Sequence, residues 1–140
     1  MLTGIMFSVQ QYWAAWLVHA RSLLGLREEI LRTTEARGLT LLRQWLSYEQ
    51  REQFEAFGYF DVVGSSSGTR FRIRYGSALN VYELDDSGNA RTGWCFLPVG
   101  NLVAGDVMLA QKIALETDET GAMEVARKFL TRADLLVPLA

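Results

Sequence analysis

Hydrophobic positions along the chain change period twice, from helical to alternating and back, which sets three blocks: residues 1–58, 59–100 and 101–140. In the first, Leu2, Ile5, Met6, Val9, Trp13, Trp16, Leu17 and Ala20 fall at the i, i+3, i+4, i+7 spacing of an amphipathic helix. Phe7, Ala14 and Val18 widen that stripe past a single face. Gly25 marks a kink or division, and Gly38, following Arg37, predicts a helix stop. Ser47-Tyr48-Glu49-Gln50 has the spacing of a capping box, with Ser47 as N-cap, and the short helix it opens ends at Gly58.

The middle block alternates. Tyr59 to Val63 predicts a short strand, and Gly64-Ser65-Ser66-Ser67-Gly68 a turn. Arg70 to Tyr75 alternates strictly, as a half-buried strand does. Leu79 to Leu84 and Gly93 to Leu97 complete a meander of about four antiparallel strands, with Asp85-Asp86-Ser87-Gly88-Asn89 as the turn between them. In the last block Asp106 predicts the cap of a helix from Val107 to about Glu116. A second helix is predicted from Glu119 through Phe129, weakened at its start by Gly121. The tail Leu135-Leu136-Val137-Pro138-Leu139 is apolar enough to dock on something. Together the blocks predict an α+β fold in one domain: N-terminal helices, a small antiparallel sheet, and C-terminal helices packed on it.

Composition narrows function mainly by exclusion. At 140 residues and 49% hydrophobic, the chain can bury a core without disulfides or metals. Fourteen Lys and Arg against sixteen Asp and Glu leave no domain-wide basic field to draw nucleic acid. One cysteine cannot make an internal disulfide, and with one histidine it cannot make a finger-type zinc site. No metal and no cofactor is expected.

No Arg or Lys precedes Arg21, so the first twenty residues lack the basic start of a signal peptide. Thr3, Ser8, Gln10, Gln11 and His19 interrupt them as a spanning helix. A cytoplasmic location follows as the expectation. The wide apolar face, with Trp13 and Trp16, instead suits a contact surface. Three partners are open to it: the domain's own core, another protein or a second copy, and, last, a membrane surface, for which the polar face lacks cations.

Few residues suggest chemistry. Arg70, Arg72 and Arg74 share one sheet face, spaced about 6.5–7 Å apart, a row able to grip phosphates or carboxylates. Arg91 extends it if the meander brings its strand to the same side. The ordinary alternative pairs these cations with Asp61, Glu83, Asp85 and Asp86 on a solvated face. Gly64 to Gly68 lacks the following helix of a phosphate cradle and reads as a hairpin turn. Cys95, between Trp94 and Phe96, is predicted to be a buried structural thiol, and nothing pairs it with His19, the only histidine. Asp85-Asp86 and Asp118-Glu119 read as turn and helix-start charges. No catalytic residue is assigned.

Residues Gly58 to Ser65, Arg70 to Tyr75, Asn80 to Leu84, Trp94 to Pro98 and Gly105 to Lys112 resemble a family of small uncharacterised bacterial proteins. The resemblance covers roughly the second half of the chain and implies a bacterial context with no activity attached. The strand and Gly-Ser turn are weakly similar to the hairpin of SWIM-type zinc modules. The lone Cys95 departs from their ligand set, so this likeness implies a hairpin and no zinc.

Two functions follow as expectations. The first is a non-catalytic interaction or accessory subunit that joins a partner protein or itself through Ile5, Val9, Trp13, Trp16 and Leu17. The second is an anion- or nucleic-acid-binding module using Arg70, Arg72, Arg74 and Arg91.

Overall fold

The computed structural model describes residues 3–96, 98–129 and 131, and of residues 3–15 the backbone only. The chain divides into two compact units, Met1–Thr34 and Glu35–Ala140. Helix α1 spans Thr3–Trp45, so its residues through Thr34 belong to the first unit and the rest to the second. The apolar tail from Leu135 lies outside the described residues.

In the second unit α1 is followed by α2 (Tyr48–Phe57), strands β1 (Tyr59–Val63), β2 (Arg70–Arg74), β3 (Val81–Leu84) and β4 (Ala90–Cys95), helices α3 (Ala104–Thr117) and α4 (Glu119–Val125), and strand β5 (Arg127–Phe129). The sheet order is β1-β2-β3-β4-β5, every neighbouring pair antiparallel. This is the α+β arrangement the sequence predicts, with helices on one face of a meander.

The capping box forms as its spacing dictates. Gln50 N–H donates to Ser47 Oγ at 3.2 Å, and Ser47 N–H to Gln50 Oε1 at 3.0 Å. The Gln50 amide nitrogen also donates to Asp61 O and to Glu116, so one side chain ties α2 to β1 and α3. Gly58 ends α2 with φ 71°, a left-handed conformation that costs glycine nothing.

Alternation then decides the core. Phe60 pairs with Ile73, which pairs with Val81, and Val62 pairs with Phe71, so these five share a face. None is more than 2% exposed. Leu42 and Leu46, Phe54 of α2, and Met108 and Leu115 of α3 cover them. Burying each such side chain contributes about 1.5–3 kcal/mol, so this layer is the main support of the second unit. A buried amide pair, Asn80 with Gln111, exchanges two hydrogen bonds at 2.9 Å and pins the β2–β3 turn to α3.

Four expectations are corrected. Gly38 does not stop α1 but lets it pass close to α3: a Cβ on Gly105 would overlap the Gly38 backbone, and one on Gly38 would meet Val103 Cγ2 at 2.7 Å. Asp106 does not cap α3, whose N-cap is Val103 with no side-chain bond. Glu35 of α1 instead accepts from Ala104 N–H at 3.2 Å, while Asp106 sits in the first turn, where its charge still suits the helix dipole. The helix expected through Phe129 ends at Val125, and a fifth strand follows. Phe129 lies over Gly93 of β4, where any Cβ would collide with its ring. Finally, β3 begins two residues later than the hydrophobic pattern indicates, at Val81 after a longer turn, and β4 three residues earlier, at Ala90 after a tighter one.

Candidate functional site

Two surfaces and one turn hold the residues that sequence singled out, and the first also holds four that it did not: Leu23, Leu24, Ile30 and Leu31. The first surface is on α1 within residues 16–34. Trp16, Leu23 and Ile30 stand seven residues apart, as do Leu17, Leu24 and Leu31, and all six are between 51% and 64% exposed. Seven-residue spacing keeps each row on one side of a helix, and adjacent numbering sets the two rows side by side. Arg21, Arg27 and Glu28 flank them, all exposed. Trp16 and Leu17 are thus exposed as a contact surface requires, whereas the side chains of Ile5, Val9 and Trp13 lie outside those described. No helix among the described residues is long and apolar enough to cross a membrane.

The second surface is the outer face of the sheet. Asp61, Arg72, Tyr82, Gly93 and Phe129 form one cross-strand row over all five strands. Arg70, Arg72 and Arg74 do share this face, yet each is engaged within the fold. Arg72 donates two bonds to Asp61, at 2.8 and 3.0 Å, and lies 4.0 Å from the Tyr59 ring centroid. The Asp61 bond raises its pKa further, against the opposing effect of burial. Tyr59 in turn stacks on Phe57. Arg74 sits over Tyr82, and Arg70 donates to Asp85 O at 3.3 Å.

Arg91 does not extend the row. It pairs with Glu83, whose cross-strand partners Phe71 and Thr92 are on the core side, and Trp94 Nε1–H donates to the same carboxylate. Arg70 and Arg91 both line a polar cavity of about 470 Å³, as do Glu83, Asp85 and Asp86. Three carboxylates against two guanidinium groups make it a poor anion trap.

The serine turn is where sequence reasoning stopped short. Gly64 to Gly68 is the β1–β2 turn, and its backbone and hydroxyls do bind an anion: the carboxylate of Glu119. Ser66 and Ser67 N–H groups donate to Glu119 Oε2 at 2.8 Å, Ser66 Oγ to Oε2 at 2.9 Å, and Ser67 Oγ to Oε1 at 2.5 Å. Burial alone would push the Glu119 carboxyl up, but these bonds from Ser67 and Ser66 overcome it and hold the pKa at about 2. The signal was present as five small residues rich in donors. The partner, more than fifty residues away, was not.

Cys95 is buried in β4 as predicted, and His19 is exposed on α1. Among the described residues no group of three His, Cys, Asp or Glu could hold a metal ion. Compared with protein-family models, curated proteins and solved structures, the chain matches none.

Proposed function

We propose that the chain is a bacterial, cytoplasmic, non-catalytic interaction subunit that assembles through the apolar face of α1. The observation that carries this reading is the pair of leucine-rich rows in residues 16–31, with all six side chains at least half exposed. A surface of that kind marks an interaction site in a soluble domain.

Light scattering on the full chain as it leaves a sizing column tests it, with Leu24→Glu/Leu31→Glu as the variant. The parent chain should run as an assembly and the variant as a single chain. A photo-crosslinking residue at Leu24, placed in producing cells, covers a partner lost on purification. A single chain by scattering, together with no adduct at Leu24, refutes the reading.

A second reading, an anion-binding sheet face, draws on Arg70, Arg72 and Arg74 lying side by side with Tyr59 and Tyr82. Its test is binding of a single-stranded oligonucleotide that weakens with salt and with Arg74→Ala. Binding indifferent to both refutes it.

A further inference from the structure

We propose that the occupant of the α1 face is a second copy of this chain, whose α1 packs antiparallel to the first over residues 16–34. The inference rests on the interaction reading above and names its partner. Written as a heptad, Leu17, Leu24 and Leu31 take position a, Ala20, Arg27 and Thr34 position d, Trp16, Leu23 and Ile30 position g, and Arg21 and Glu28 position e. The charges decide direction. In a parallel pair each d layer meets itself, so Arg27 would face Arg27 inside the seam. Arg21 and Glu28 would then lie beside apolar g residues, with no opposite charge in reach.

Reversing one helix sets each Arg27 against Leu24 rather than in the same layer as its own mate, and brings opposite charges together along one edge. Layers then join a to d: Leu24 meets Arg27, Ala20 meets Leu31, and Leu17 meets Thr34. Each leucine faces a side chain that is small or can extend its charge to solvent along an apolar stem. The e positions now face each other, so Arg21 of either copy stands near Glu28 of the other. Two ion pairs form by symmetry, as a two-fold interface requires. Leu23 and Ile30 pair along the opposite edge and widen the apolar seam. Among the described residues no ion pair engages Arg21, Arg27 or Glu28.

Charge reversal tests direction and partner together, in the full chain. Arg21→Glu alone sets Glu against Glu28, and Glu28→Arg alone sets Arg against Arg21, so each variant should dimerise about tenfold or more weaker than the parent. An equimolar mixture of the two should recover the lost affinity as a heterodimer, because both cross pairs become attractive. A mixture no tighter than its components overturns the antiparallel arrangement. The Leu24 crosslinker separates the remaining outcomes: an adduct of twice the chain mass supports the second copy. An adduct of any other mass overturns it while leaving the interaction reading standing. No adduct, with a single chain by scattering, ends both.

Discussion

Four hydrogen bonds from Ser66 and Ser67 converge on the carboxylate of Glu119, which is only 6% exposed. Its pKa falls from an ordinary 4.5 to about 2. At about 1.4 kcal/mol per pKa unit, that drop corresponds to about 3 kcal/mol of stability held by the ionised form. A depressed carboxyl stabilises the fold fully above its unfolded pKa, and the contribution fades as pH falls from about 4.5 through about 2. Glu119→Gln should therefore cost about 2–3 kcal/mol at neutral pH. It should also flatten the acid limb of stability in that window, measured by urea unfolding at neutral pH and at about pH 3. An acid limb as steep as the parent's would show that another group sets it. The Ser47–Gln50 box was legible in sequence because its partners are three residues apart. Glu119 and its turn were not, because only the packed sheet brings them together.

At the scale of elements, the crossing of α1 and α3 depends on two glycines that face each other, and sequence gave one of them the opposite role. Gly38 after an arginine looks like a helix end, since local signals cannot distinguish a residue needed for φ from one needed for space. The contrast with Gly25 makes the point measurable. A Cβ at Gly105 would overlap the Gly38 backbone, whereas one at Gly25 would meet nothing within 4 Å. Gly105→Ala should cost about 3 kcal/mol by forcing backbone apart. Gly25→Ala should stabilise α1 by about 0.5–1 kcal/mol through helix propensity alone. Unfolding midpoints and hydrogen exchange across α1 report both changes. Equal effects at the two sites would mean the crossing is loose. Strand β5 escaped prediction for a related reason: three residues are too few to show a period, and it is seated by Phe129 lying over Gly93 and against Tyr82.

For the whole molecule, the hydrophobic pattern was informative about layers, while the exposed Leu23, Leu24, Ile30 and Leu31 of α1 and the Arg row showed its limit. Alternation puts Arg70, Arg72 and Arg74 on one face. It says nothing of Asp61, Tyr59 and Tyr82, which take up two of those guanidinium groups once the strands align. The two functional readings then separate on one variable, ionic strength. Apolar rows associate by removing surface from water, so an α1-mediated dimer should persist at high salt and tighten in sulfate. The Arg21–Glu28 pairs are rim contacts whose share is screened. Salt should therefore narrow the gap between Arg21→Glu and the parent without dissolving the parent dimer. An Arg-lined sheet face behaves oppositely, since each phosphate contact releases counterions and binding falls steeply with salt. Scattering across a salt series, run with the parent and Arg21→Glu side by side, reads both effects. A parent assembly that dissociates in high salt would mean charge, not the leucine rows, holds it together, and the α1 interface would have to be abandoned.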